Sequence, residues 1–244
     1  MNSFVSFAGD TLKKQAEALW HMAEDLDGSF DEVIRCLLSI SGRIAVSGMG
    51  KSGHVARKVA ATLASTGSPA YFIHPAEASH GDLGMMSRHD AVIAFSNSGE
   101  TAELNDIILF ASRHGIPITG VTKRGDSFLA RHADYVLLLP NEPEACPIGC
   151  APTTSTTLQM ALGDAIALSL LKAGDNLLID AVFLFLAGAV QVTQLLRQLC
   201  GLFKRVGQEH ARRQCSAAHS ACGVDARCHD EADGVGCHRL AVQP

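Results

Sequence analysis

Aromatic side chains are scarce in this chain: one Trp, two Tyr and ten Phe among 244 residues. A platform that stacks bases is therefore not expected. Neither sign of charge dominates. The formal net charge is −5, with acids and bases interspersed, so no broad nucleic-acid-binding face is expected. Long apolar runs are also missing. The most apolar stretch, Leu177 to Val190, is too short to span a bilayer and carries Asp180. The N-terminus does not read as a secretory leader, because Lys13 and Lys14 follow the apolar patch Phe4–Phe7 instead of preceding it. Cysteine is rare where a core would fold: Cys36, Cys146 and Cys150 alone precede residue 200. A disulfide scaffold is excluded, and a cytoplasmic, membrane-free protein is expected. What the chain does have is 47% hydrophobic residues and 22 Gly. That is enough for one sizeable α/β core with tight strand–helix turns, with or without an appendage.

Four segments are expected. Residues 1–40 read as helix: Leu12, Ala16, Leu19, Ala23, Leu26, Phe30, Val33 and Leu37 alternate spacings of four and three, which places them on one stripe. Gly28 is a natural break. This helical segment packs either on its own domain or on a partner subunit. Residues 41–173 alternate short β-rich runs with helical ones. The strands are Ile44–Ser47, Ala70–His74, Ala91–Phe95, Ile118–Thr122 and Tyr135–Leu139; helices follow near Lys51–Ser65, Ala102–Arg113, Ser127–Arg131 and Thr154–Lys172. Nearly all-apolar strands separated by helices predict an α/β fold, a five-stranded parallel sheet with helices on both faces. Residues 174–206 read as an apolar helical extension. Residues 207–244 hold four Cys and four His but only four large apolar residues, and are expected to lack a packed core.

In such sheets ligands bind beyond the carboxyl ends of the strands. The informative motifs stand there. Gly48-Met-Gly-Lys-Ser-Gly53 follows the first strand and opens a helix. It matches a dinucleotide fingerprint, but the second strand ends Phe72-Ile73-His74-Pro75, without the acid that would hold a ribose. It also resembles a relaxed nucleotide P-loop, without a later strand-end Asp for Mg²⁺. In the third reading its amides, Ser52 and Lys51 face a phosphate. Ser96-Asn-Ser-Gly-Glu-Thr101 follows the third strand with three hydroxyls and a Gly for close backbone approach, a cradle for a phosphate monoester. Pro152-Thr-Thr-Ser-Thr-Thr157 opens the last helix of the core with more hydroxyls than capping needs. Cys146 and Cys150 form a C-x3-C pair; Pro147 and Gly149 between them point to a rigid turn, and no metal is expected there. Cys215, His219, Cys222, Cys228, His229, Cys237 and His238 fit no standard zinc finger.

Together, Gly48-Met-Gly-Lys-Ser-Gly-His54, Ala78-Ser-His-Gly-Asp-Leu-Gly84, Ser96-Asn-Ser-Gly-Glu100, Glu144-Ala-Cys-Pro147 and Ala151-Pro-Thr-Thr-Ser-Thr-Thr157 resemble the sugar isomerase (SIS) domain of bacterial D-arabinose 5-phosphate isomerases, over roughly residues 5–173. The resemblance implies the flavodoxin-like SIS fold and interconversion of D-ribulose 5-phosphate and D-arabinose 5-phosphate. It also implies supply of 3-deoxy-D-manno-octulosonate for lipopolysaccharide synthesis, a homotetramer or homodimer, and no cofactor. By the same resemblance Lys51, His80, Glu103 and Glu144 match the family's active-site motifs.

Moving a proton between C1 and C2 needs a base, a group to hold the developing oxyanion and a phosphate anchor. Glu144 is the first choice for the base and Lys51 for the oxyanion. Glu103 and His80 are placed to move protons or orient hydroxyls. Gly50, Ser52, Ser96, Asn97, Ser98, Thr101, Thr153 and Ser155 are the expected phosphate site. After Lys172 the resemblance stops: the family's Ser-His-Pro-Gly-Gly segment and its paired CBS domains have no counterpart here. A change of reading frame in the gene near residue 174 would produce that break, and translating the other frames decides it. A second functional reading follows from the missing segment: a non-catalytic sugar-phosphate-binding module that acts as a sensor or regulator.

Overall fold

The computed structural model of the chain describes residues 3–174. The expectations for the apolar extension and the Cys/His-rich tail lie outside the described residues. Two helices lead, α1 (Phe4–Glu24) and α2 (Gly28–Ser39). Then β1 (Ile44–Gly48), α3 (Gly50–Ser65), β2 (Ala70–Ile73), α4 (Pro75–Ala78), β3 (Ala91–Phe95), α5 (Asn105–His114), β4 (Ile118–Thr122), α6 (Phe128–His132), β5 (Tyr135–Leu138) and α7 (Thr154–Ala173) follow. Short 3₁₀ turns at Asp82–Met85 and Ala102–Leu104 precede β3 and α5.

All strand pairs are parallel, in the order β2-β1-β3-β4-β5. The three inner strands are buried along their whole length, whereas the edge strands β2 and β5 are half-exposed. Successive side chains of a strand point to opposite faces, and the two cores follow that alternation. Ile44, Val46, Ile93 and Phe95 pack with residues of α2, α3 and α7. Ala45, Val92 and Ala94 pack with Ile107, Ile108 and Ala111 of α5 and Leu129 of α6. The result is a three-layer sandwich with helices on both faces of one parallel sheet, as the strand pattern implied.

The N-terminal segment corrects the sequence expectation in one respect. Gly28 does open a second helix, capped by Asp27, whose carboxylate accepts the Ser29 N–H at 2.9 Å. Val33 and Leu37 are buried as expected, but α1 buries Ala18 and Met22, while Leu12 and Leu26 of the expected stripe stay exposed. Leu19 of the expected stripe does pack against the core, so in α1 the domain covers that stripe only in part. Phe4 (95% exposed), Val5 (82%) and Trp20 (67%) are also left outside.

Helix α7 reaches back from the edge strand β5 to pack on α3. Gly163 permits the approach: a Cβ there would lie 2.2 Å from Val59 Cγ2. Lys58 of α3 and Asp164 of α7 pair beside it. Because α3 connects two parallel strands, it runs opposite to them. Helix α7 starts from the loop at the same sheet edge, so both helices aim their N-termini at the carboxyl ends of the strands.

Candidate active site

In the order 2-1-3-4-5 the chain leaves β1 toward one side and β3 toward the other, so a crevice opens between their carboxyl ends. Gly48 pairs with Phe95 in the register. The loop after β1, with Gly50, Lys51 and Ser52, is therefore set beside Ser96, Asn97, Ser98 and Thr101. No side chain caps the N-terminus of α3, which leaves its first amides to a ligand. Lys51 is exposed at that end.

The Ser96–Thr101 loop is braced from within and from behind. Buried Ser96 accepts the Gly99 N–H at 3.0 Å through its hydroxyl, which also lies 2.7 Å from the Thr101 hydroxyl. Ser98 Oγ accepts the Glu100 N–H, and the Glu100 carboxylate accepts the Phe128 N–H at 3.1 Å. The Leu129 N–H donates to Gly99 O, and the Lys123 N–H to Asn97 O. Gly99 has φ +70, and a Cβ on it would meet Ser127 Oγ at 2.0 Å. Only Gly fits this turn. The β4–α6 connection thus fixes the loop from below.

Glu103 stands exposed on the 3₁₀ turn that follows. His80, also exposed, closes the turn after α4. Its neighbour Ser79 donates to the Asp106 carboxylate at 2.6 Å, which ties the His80 turn to the start of α5. Both residues belong to the same end of the sheet.

Glu144 is the best-held candidate. Its Oε2 accepts from the Thr153 N–H (2.6 Å), the Thr153 hydroxyl (3.1 Å) and the Ser155 N–H (3.3 Å). The Ala145 N–H in turn donates to the hydroxyls of Thr153 and Thr154, both at 3.1 Å. The carboxylate therefore serves as the anion at the N-terminus of α7. Partial burial pushes its pKa up, but hydrogen bonds from Ser155 and Thr153 outweigh this and hold it below the ordinary glutamate value. The donors of Thr153 and Ser155, expected on a phosphate, are given to Glu144 instead.

Sequence reasoning missed this clamp, because a loop's return onto a helix start leaves no periodic signal. It also missed Gln159, which is fully buried one turn below Ser155 on the helix face that meets α3; neither end of its amide has a hydrogen-bond partner among the described residues. Hollows of about 590 and 240 Å³ lie at the opposite, amino-terminal end of the sheet, lined by residues such as Arg88, His89 and Arg113, or Pro117 and Asp134. They share no residue with the crevice. Among the described residues no cluster of three or more His, Cys, Asp or Glu is arranged for a metal ion, and no helix is long and apolar enough to cross a membrane.

A parallel α/β sandwich with a hydroxyl-lined loop at its switch point defines a class, and the family comparison agrees: the SIS domain model matches residues 37–169, and the chain belongs to that family. Within it, the chain is 49% identical over 162 residues to the arabinose 5-phosphate isomerase KpsF of Escherichia coli O6:H1, covering 66% of this chain and 50% of that protein. It is 43% identical over 194 residues to the arabinose 5-phosphate isomerase KdsD of Pseudomonas aeruginosa, covering 80% of this chain and 60% of the relative. Among solved structures, the Escherichia coli CFT073 protein c3406, in complex with arabinose 5-phosphate, superposes with a TM-score of 0.68 at 37% identity, over 71% of this chain and 93% of that one. The chain spans about half the length of the curated relatives it matches.

Proposed function

We propose that the chain is an aldose–ketose isomerase that interconverts D-ribulose 5-phosphate and D-arabinose 5-phosphate through an enediolate. Its product would feed 3-deoxy-D-manno-octulosonate and lipopolysaccharide synthesis. The observation that carries this reading is the placement of a carboxylate, an amine and a hydroxyl cradle on loops at one sheet edge, in a chain 49% identical to an arabinose 5-phosphate isomerase.

Gly50, Ser52, Ser96, Asn97, Ser98 and Thr101 hold the phosphate. The α3 N-terminus and the tight Ser96–Thr101 turn give it main-chain donors without reorganisation. Glu144 is the base. Its Oε2 is held at the start of α7 by the Thr153 and Ser155 N–H groups and the Thr153 hydroxyl, which fixes the carboxylate for the C2 proton. The clamp keeps the carboxylate ionised and oriented, and it weakens the group as a base. Lys51 compensates by neutralising the enediolate oxygen as the proton leaves. Glu103 and His80 carry protons between the C1 and C2 oxygens. Thr153 and Ser155 act on the base and not on the phosphate.

We assign the exposed apolar side of α1, with Val5, Leu12 and Trp20, to self-association as a homodimer or homotetramer. Light scattering on the full chain tests this; a monomer contradicts it. For the reaction itself, the full chain is incubated with D-arabinose 5-phosphate and ketose formation is followed. Turnover is expected. Saturable binding without turnover would establish the sensor or regulator reading instead.

A further inference from the structure

Two glutamates of the loop between β5 and α7 are held by two neighbouring helices. Glu144 is clamped to the start of α7, whereas Glu142, two residues earlier, reaches α1. His21, in the last turn of α1, donates its Nδ1 hydrogen to the Glu142 carboxylate at 2.7 Å, across 121 residues of sequence. Packing sets up the contact: Ala18 and Met22, on either side of His21, are buried in the core that α7 shares. A cation suits the end of a helix by itself, but that does not bring a distant carboxylate onto the ring. The hydrogen bond to Glu142 is the main influence on His21 and raises its pKa, and the charges of Glu24 and Asp25 at the same helix end add to this. The protonated form that strengthens the pair is thereby favoured.

The stretch that joins the two glutamates is stiff. The Leu139 N–H donates to Thr122 O at 2.9 Å, and the Glu142 N–H donates to Pro140 O at 2.8 Å in a three-residue turn. Pro143 fixes its own φ and keeps Glu142 out of the helical region. Among the described residues, the His21 contact is the one hydrogen bond to another element between Leu139 and Glu144. A shift at Glu142 therefore passes through Pro143 to Glu144. We propose that His21 is a positioning residue: by holding Glu142 it sets the loop that carries Glu144, and so aims the base. The proposal rests on the reading of Glu144 as the base. A pair as exposed as His21 and Glu142 adds little to global stability, so its removal should loosen the loop without unfolding the domain.

The test uses the full chain, with hydrogen–deuterium exchange and kinetics side by side. The Ala145 and Thr153 N–H groups, which donate inside the clamp, should exchange about ten times faster in His21→Leu, with the amides of α3 unchanged. In the same variant kcat for D-arabinose 5-phosphate should fall about tenfold, with KM and the melting temperature nearly unchanged. In His21→Asn the side-chain amide can donate in place of Nδ1 and should restore most of both. Adding Glu142→Ala to His21→Leu should change neither further. Unchanged exchange in His21→Leu, faster exchange with kcat unchanged, an equal loss in His21→Asn, or additive losses in the double variant would overturn the proposal. A parent chain without turnover would remove the isomerase reading instead, and the exchange rates alone would then decide whether His21 holds the loop.

Discussion

The two ends of the same sheet handle polar groups in opposite ways. At the amino end, carboxylates are spent on structure. Buried Asp90 accepts the Arg43 N–H (2.8 Å), the Ser87 N–H (3.0 Å) and the Tyr71 hydroxyl (3.4 Å), so both its oxygens are engaged. Asp134 accepts the Ile118 N–H at 2.8 Å at the same end. Burial, helped by the Asp90 charge, pushes the Tyr71 phenol up to about 12, so it stays neutral. At the carboxyl end, Lys51, His80 and Glu103 stand exposed, and the first amides of α3 have no side-chain cap. Glu144 lies between the two kinds: it is held by hydrogen bonds as Asp90 is, but it is only partly buried. The contrast is between an acid that is buried with both oxygens engaged and polar groups that stand open at the proposed site.

Substitutions at the two ends should separate these roles. Glu144→Gln should show the largest effect. Its amide oxygen can still accept from Thr153 and Ser155, so the melting temperature should hardly change, but kcat should fall about 1,000-fold. A kcat within a few-fold of the parent would remove Glu144 as the base. Asp90→Ala should do the reverse. Main-chain donors at the amino end lose their buried partner, which should cost about 3 kcal/mol in urea unfolding with kcat nearly unchanged. If Asp90→Ala cut kcat at constant stability, the division between the two ends would fail.

Ser96→Ala tests the cradle at smaller scale. It removes an acceptor of the Gly99 N–H and the partner of Thr101, and KM for the sugar phosphate should rise roughly tenfold with a smaller change in kcat. A change in kcat alone would place Ser96 at the reacting end. The smallest effect is on pH. Because the folded pKa of Glu144 is depressed, its hydrogen bonds contribute fully above the ordinary carboxylate range. That contribution fades as pH falls through the lower, folded value. The acid limb of kcat/KM should therefore lie below the ordinary glutamate pKa of about 4.3. A limb above that value would show that another group controls activity.

Most of the fold was legible because parallel strands buried on both faces are continuous apolar runs. All five strands were placed within one residue of their ends. The small differences have local causes: β2 stops at Ile73 because His74 caps α4 by accepting the Ala76 N–H, and α6 starts at Phe128 because Ser127 is its cap. Which part of the N-terminal stripe the domain covers was not legible: Leu19, Val33 and Leu37 pack on the core and Leu12 does not, and periodicity finds an apolar face without saying what lies against it. The motif residues were legible because each loop follows its strand directly, so the topology alone brings Lys51 and Ser96 to adjacent strand ends. The grip of Thr153 and Ser155 on Glu144 was not, since it depends on the path of a long loop.

Proton abstraction at C2 is best tested by solvent exchange. The full chain is incubated with D-arabinose 5-phosphate in heavy water, and the sugar is followed by proton NMR. If Glu144 removes the C2 proton, ketose should appear with deuterium at C1, the C2 proton of the remaining aldose should fade, and Glu144→Gln should abolish both changes. A C2 proton that persists while the sugar phosphate is demonstrably bound would contradict the catalytic assignment.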